Sequence, residues 1–228
     1  MRRRSHHLNL WVQDYFGSGA PGNFIFSPHA MTPQERSRLR KQLRETRRQL
    51  SARQQDEAAV RLHHMLSGQR FFRAARHIAF YLPNDSEIDP RLLLAEALYR
   101  GQHCYLPVLH PRGENRLLFV RYRQGDALRS NRWGILEPRL GAGRISARAL
   151  DVVFMPLVGF DGQGNRLGMG KGFYDRTFAF KAVGRRRSPL LIGLAHACQR
   201  VESLARQPWD IGMDRIVTDQ RVWHPAPR

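Results

Sequence analysis

The chain has 228 residues, 42% of them hydrophobic and 10% aromatic, which is enough apolar surface for one compact domain and too much for a disordered or collagen-like chain. Against 19 Asp and Glu stand 38 Lys and Arg, a formal charge of +19, and since only Lys41, Lys171 and Lys181 are lysines, nearly all of the excess is arginine. Uncharged apolar runs end well short of a membrane-spanning length, even at 150–160, so a transmembrane helix is not expected.

Residues 1–31 have no hydrophobic period and contain GSGAPG, so they read as an extension ahead of a single domain at 32–228. Behind MRRR there is neither the apolar core nor the cleavage site of a secretory signal, and a cytoplasmic location is expected. Thr32-Pro33-Gln34-Glu35 supplies a capping threonine, a proline at the first helical position and a capping-box glutamate, predicting a helix with Leu39, Leu43 and Leu50 near helical spacing. Ser51-Ala52-Arg53-Gln54 repeats the signature before a second helix with Leu62, Met65 and Leu66 on one face. The apolar run at 77–83 suits a buried strand, Asp89-Pro90 opens a helix that runs to Arg100 and closes at Gly101, and 103–108 is the next strand. Together they predict a parallel strand–helix–strand crossover. Leu117–Tyr122 alternates as an edge strand does, 150–157 and Leu190–Ala195 are strongly apolar strands, and Arg215–Thr218 is a further one. Strands separated by helices define an α/β class, with helices on both faces of the sheet and ligands collecting beyond the carboxyl ends of the strands.

The charge has two readings. A basic surface attracts polyanions such as nucleotides or RNA, whereas arginine spread along the whole chain is a solvated face. Phe, Trp and Tyr are not interleaved with the basic residues in an RNA-binding pattern, so nucleic acid is the less favoured partner. Cys104 and Cys198 lie in neither a CxxC nor a Cys/His spacing, and His6-His7 and His63-His64 lack the partners of a metal motif, so neither a disulfide framework nor a zinc site is expected.

The densest chemical signal follows the 150–157 strand. Gly168, Gly170 and Gly172 permit positive φ and let backbone N–H groups approach an anion, while Arg166 and Lys171 add positive charge. The pattern is not a P-loop, which needs Gly at 165 and Ser or Thr at 172 where this chain has Asn165 and Gly172; nor is it GxGxxG, because Phe173 takes the last glycine position. A glycine-rich connection whose charges face water is the competing reading. A helix opening at 173–178 places Asp175 in its first turn, where a carboxylate either holds Mg²⁺ beside phosphates or only complements the helix dipole. Arg36 and Arg40, four apart on one helical face, either address one phosphate chain together or lie in solvent on an arginine-rich helix.

Phe80-Tyr81-Leu82, Glu87-Ile88-Asp89, Tyr105-Leu106-Pro107-Val108, NRWGILEP from Asn131 to Pro138, the run from Asp151 to Phe160, and GNRLGMGKGFYD at 164–175 together resemble the 5-formyltetrahydrofolate cyclo-ligase family. The resemblance implies a three-layer α/β/α fold with a mostly parallel sheet, similar to the NagB/RpiA/CoA-transferase-like fold. It also implies an ATP- and Mg²⁺-dependent ligase that converts 5-formyltetrahydrofolate to 5,10-methenyltetrahydrofolate through a phosphorylated formyl group. By the same resemblance, Lys171 and Arg166 are the catalytic residues, with Lys171 stabilising the transferring phosphoryl group. Arg36, Arg40 and Arg166 cradle the nucleotide with Leu167, Gly168, Met169, Gly170, Gly172, Phe173 and Tyr174, and Asp175 and Asp214 hold Mg²⁺. Arg36 stands where the family commonly has lysine, which keeps the charge and changes the geometry. Glu87 matches a pterin-binding position, with Tyr81, Leu82, Trp133 and Phe173 as candidate walls and Met169, Lys171 and Gly172 alongside. A monomer is the expected state.

Overall fold

The computed structural model describes residues 31–141, 143–183 and 189–225, so the expected N-terminal extension lies, apart from Met31, outside the described residues. Helix α1 (Pro33–Arg48) begins as its sequence dictates: Thr32 Oγ1 accepts from the Glu35 N–H at 3.2 Å, and the Glu35 carboxylate accepts from the Thr32 N–H at 2.7 Å. Helix α2 (Ala52–Ser67) carries the same reciprocal bonds between Ser51 and Gln54. A short α3 (Arg70–Ala74) leads into β1 (His77–Ala79), where the ladder is shorter than the apolar run that predicts it. Asp89 Oδ1 accepts from the Arg91 N–H at 2.8 Å to start α4 (Arg91–Tyr99), and Gly101, at φ +75°, turns the chain toward β2 (His103–Leu109). β1 and β2 pair in parallel, so the expected crossover unit is present.

β3 (Leu117–Tyr122) folds back antiparallel onto β2. β4 (Leu128–Ser130) and β5 (Leu136–Pro138) then form a separate two-stranded arm. The two-residue β6 (Arg144–Ile145) pairs along the outer side of β3, so β3 is not the edge strand its alternation predicts. β7 (Val152–Pro156) is followed by a small hairpin of β8 (Gly159–Phe160) and β9 (Arg166–Leu167), then by α5 (Phe173–Thr177). β10 (Leu190–Ala195), β11 (Arg215–Thr218) and β12 (Val222–Trp223) complete the chain. The eight-stranded sheet runs β12-β11-β10-β7-β1-β2-β3-β6, and its five strands from β11 to β2 are parallel.

Because alternate strand residues point to opposite faces, each buried strand feeds two cores. Ile78, Val152, Phe154, Ile192 and Leu194 meet Leu62, Leu66, Phe72, Leu93 and Ala97 of α2, α3 and α4. Ala79, Val153, Met155 and Leu191 face the other way, onto Phe178, Ile211 and Met213. Among the described residues, that second layer is made of α5, the 3₁₀ turn Ala179–Lys181 and connecting chain, while α2 and α4 cover the first face. A third cluster, with Leu39 and Leu43 of α1 against Val158, Leu167 and Leu204, seats α1 on the segment just beyond the carboxyl end of β7. Burying each such leucine contributes about 1.5–3 kcal/mol, so this stripe fixes how α1 presents its arginines. Among the described residues, no helix is long and apolar enough to cross a membrane.

Candidate active site

Asp161 organises the approach to the glycine loop. Fully buried, its Oδ1 accepts from the N–H groups of Gln163 and Asn165 at 2.9 and 3.0 Å, and its Oδ2 from Asn165 Nδ2 at 2.8 Å and the Leu204 N–H at 2.9 Å. From β9 the chain runs through Gly170 at φ +91° and Gly172 at φ +66° into α5. Among the described residues, the N–H groups of Gly168, Met169, Gly170, Lys171 and Gly172 have no hydrogen-bond partner, and the loop crest from Met169 to Lys171 is exposed. Unpaired N–H groups in a turn with positive-φ glycines form a concavity suited to an anion. The Lys171 ammonium has no partner among these residues either, while its carbonyl accepts from Arg176 at 2.7 Å. Leu167 lies beneath the loop, its side chain buried against α1.

The arginines are not a solvated face. Arg40 Nε donates to the Gly168 carbonyl at 2.8 Å, and burial together with the neighbouring Arg36 cation pushes its guanidinium below the ordinary value. Arg36 is turned toward the 204–213 segment, donating to the Ala205 carbonyl at 3.0 Å and to Asp210 Oδ2 at 3.2 Å. Arg166, whose side chain is only 7% exposed, donates to Asp175 Oδ1 at 2.6 Å and to the Ile211 carbonyl. The same Asp175 oxygen accepts the Ile211 N–H at 3.1 Å, leaving Asp175 Oδ2 without a partner among the described residues.

Asp214 is used differently. Its Oδ2 accepts from the Leu191 N–H at 2.7 Å and from Lys181 Nζ at 2.9 Å, joining the amino ends of β10 and β11, and it shares none of these partners with Asp175. Among the described residues, no group of three or more His, Cys, Asp or Glu is arranged to hold a metal ion. A divalent cation here would draw on Asp175 Oδ2 and on oxygens of a bound phosphate chain, the usual manner of Mg²⁺.

The Glu87 turn lies close enough to α5 for the Glu87 charge to act on the Tyr174 hydroxyl. Asp85 and Ser86, two consecutive non-glycine residues, have φ of +52° and +58°, each a strain of about 1–3 kcal/mol that persists only where neighbours hold it. The holders come from α1. Arg44 Nε and an Arg47 nitrogen donate to Asp85 Oδ2 at 2.7 and 2.9 Å, Arg47 Nε donates to the Asp85 carbonyl at 2.8 Å, and Arg48 pairs with Oδ1. Glu87 accepts the Asn84 N–H at 3.2 Å and lies 3.9 Å from Arg47. Burial pushes its carboxyl up to about 7 against the pull of Arg47. The Glu87 charge, after burial, helps raise the hydroxyls of Tyr81 and Tyr174, and Tyr174 also feels Arg166, so the carboxylate turn and the glycine–α5 segment form one electrostatic neighbourhood.

Of the expected aromatic walls, Trp133 and Phe173 meet edge to face with centroids 5.3 Å apart, and the Arg132 guanidinium lies 4.2 Å over the exposed Trp133 ring. The arm carrying Trp133 is fastened by buried Glu137, which accepts from the Leu109 N–H at 3.1 Å and from Asn131 and Arg129, each at 3.2 Å. Tyr81 is instead part of the main core, its hydroxyl donating to the Ile88 carbonyl at 2.6 Å, and Leu82 packs against that same core. Both support the Glu87 turn from behind. Sequence reasoning missed Arg44, Arg47, Asp85 and Asp161. One signal was available: Arg47 continues the Leu39–Leu43 spacing, so a charge occupies the buried column of an amphipathic helix and requires a buried partner.

The model of the 5-formyltetrahydrofolate cyclo-ligase family matches residues 32–219. A 5-formyltetrahydrofolate cyclo-ligase of Haemophilus influenzae is 38% identical over 188 residues, covering 82% of this chain and 99% of the relative. Its counterpart from Escherichia coli K12 is 38% identical over 182 residues, covering 79% and 98%. The solution structure of Aquifex aeolicus 5,10-methenyltetrahydrofolate synthetase superposes with a TM-score of 0.72 at 30% identity, covering 85% of this chain and 94% of that one. A Mycoplasma pneumoniae 5,10-methenyltetrahydrofolate synthetase, at 23% identity and a TM-score of 0.64, shares the fold. With the relatives matched along nearly their whole length, and with glycine loop, α1 arginines and Glu87 turn inside the matched region, the chain belongs to the 5-formyltetrahydrofolate cyclo-ligase family of ligases.

Proposed function

We propose that this enzyme closes 5-formyltetrahydrofolate to 5,10-methenyltetrahydrofolate with ATP as phosphoryl donor, releasing ADP and phosphate. The observation that supports the reading is the run of N–H groups from Gly168 to Gly172 that, like the Lys171 ammonium, have no partner among the described residues, on a segment whose next helix carries Tyr174 within reach of the Glu87 charge. A formyl oxygen on an amide-like nitrogen is a poor leaving group. Its attack on the γ-phosphorus forms an O–P bond and breaks the bond to ADP; N10 then bonds to the formyl carbon and loses its proton, and the C–O electron pair departs with phosphate. Such a reaction asks the protein for positioning and charge stabilisation above all.

Lys171 and the loop N–H groups bind the transferring phosphoryl oxygens, where charge is spread in the transition state. Arg40 closes the loop from the α1 side. Mg²⁺, when bound, would neutralise phosphate oxygens, and Asp175 would hold it through Oδ2, which has no partner among the described residues. Glu87 as carboxylate accepts hydrogen bonds from pterin N–H groups, with Trp133 and Phe173 flanking the ring system and exposed Met169 beside it. Arg36 and Arg166 reach phosphates only by giving up or sharing Asp210 and Asp175. The purified chain, supplied with ATP, Mg²⁺ and 5-formyltetrahydrofolate, is expected to generate the absorbance of the methenyl product with one ADP released per turnover. Folded protein that yields neither would overturn the reading.

A further inference from the structure

We propose that Arg47, acting through Asp85, is a positioning residue for the folate: it fixes where the Glu87 carboxylate stands without itself touching substrate. This rests on the reading that Glu87 binds the pterin.

The Arg47 side chain has no solvent exposure, so its guanidinium persists only with its donors paired. Nε and one terminal nitrogen grip the carbonyl and the carboxylate of a single residue, Asp85, at 2.8 and 2.9 Å, while the other terminal nitrogen donates to the Leu157 carbonyl at 3.3 Å. Holding both polar ends of one residue fixes the orientation of its peptide as well as its side chain. Asp85 and Ser86 are both left-handed, so a relaxation of either to negative φ would swing the chain and move Glu87, the next residue. Arg44 and Arg48 also contact Asp85, but their side chains are 32% and 50% exposed; Arg47 is the member of the trio that connects the turn to the interior. Its anchor is itself immobilised, because the Leu157 carbonyl also accepts from buried Gln199 at 2.6 Å and Leu157 directly follows β7.

The consequence is register. Arg40 on the same helix, two turns earlier, holds the Gly168 carbonyl of the phosphate loop. Thus α1 touches the nucleotide side through Arg40 and the folate carboxylate through Arg47, and referencing both to the end of β7 sets the formyl oxygen against the phosphoryl group. A lysine at 47 keeps the charge and loses the planar fork, so it cannot hold two points of Asp85 at once.

Arg47→Lys, Asp85→Asn and Glu87→Gln are compared by steady-state kinetics, with KM for 5-formyltetrahydrofolate and for ATP measured separately and folding checked by thermal melts. Glu87→Gln and Arg47→Lys are each expected to raise the folate KM roughly ten-fold or more, the loss of one charge-assisted hydrogen bond, with the ATP KM within about two-fold of the parent. Asp85→Asn, which tolerates the left-handed backbone but lacks the charge, should move the folate KM in the same direction and decides the matter if the lysine variant does not fold. If the clasp variants shift both KM values together, or neither, while Glu87→Gln raises the folate KM, Arg47 is a structural residue only and the proposal fails alone. If Glu87→Gln leaves the folate KM unchanged, the pterin reading of Glu87 fails and takes this proposal with it.

Discussion

The Arg40 guanidinium carbon lies 3.3 Å from the point where a Cβ on Gly170 would stand, and Gly170 itself holds φ at +91°. The bare backbone at that position is what lets Arg40 close over the loop and reach the Gly168 carbonyl. Gly170→Ala therefore meets a steric and a conformational penalty together. We expect kcat/KM for ATP to fall by about 10²-fold, the scale of a 1 Å misplacement of a positioned phosphate, with the folate KM little changed. Separate titrations of the two substrates check this, and equal losses for both would show that the loop does not discriminate between them.

Lys171→Ala separates catalysis from folding. The residue is exposed and its ammonium makes no hydrogen bond or ion pair among the described residues, so its removal should change stability by no more than about 0.5 kcal/mol, as at an ordinary surface site. Removing a donor that acts on the transferring phosphoryl group should lower kcat by about 10²–10³-fold. Melting temperature and kcat measured on one preparation decide it: an unchanged kcat removes Lys171 from the chemistry.

What could be read from sequence was local. The capping boxes at Thr32 and Ser51 and the strand Arg215–Thr218 depend on neighbouring residues, and the structure reproduces them. The glycine loop was legible because positive φ at Gly170 and Gly172 asks for glycine whatever surrounds it. Other features depend on partners distant in the chain. The two-residue β6 carries no period that could announce it, so β3 looked like an edge. Tyr81 sits just past β1 in a run of buried residues, where an aromatic residue looks the same whether it lines a pocket or fills a core. Asp214 matched by position, yet its Oδ2 is held by the Leu191 N–H and the Lys181 ammonium at the amino ends of β10 and β11, contacts made only when those strands come together. Nor do single residues such as Arg47 and Asp85 signal that they will meet at a sequence separation of 38.

Asp161→Ala tests the frame beneath the loop. Losing the carboxylate takes their acceptor from the N–H groups of Gln163 and Leu204, and stranded donors cost about 1–3 kcal/mol apiece when buried. A total near 3 kcal/mol or more should lower Tm by roughly 6–12 °C in a domain of this size. Calorimetric or circular-dichroism melts read the change directly, and a shift below a couple of degrees would mean that the hairpin does not depend on Asp161.

Glu87 makes stability and substrate binding depend on pH in opposite directions. Facing it are Arg47 and Arg44 from α1, Asp85 and the Asn84 N–H from its own turn, and the hydroxyls of Tyr81 and Tyr174; burial outweighs the cations and raises its carboxyl from 4.5 to about 7. Between those values the unfolded chain has released a proton that the folded chain keeps, so this group's contribution to stability is lost as pH rises from about 4.5 to 7 and is level above it. The whole effect corresponds to roughly 3 kcal/mol. Glu87→Gln cannot titrate, so its Tm relative to the parent should climb across that window and remain higher above pH 7. The carboxylate is the form that accepts pterin N–H groups, and kcat/KM for the folate at saturating ATP reports ionisation of the ATP-bound enzyme before folate binds, so in the parent it should increase through pH 7. In Glu87→Gln that increase should be absent while the Tm gain at high pH remains. A parent Tm difference that stays flat between pH 4.5 and 7 would show that the carboxyl is ionised at its ordinary value and solvated in the folded protein.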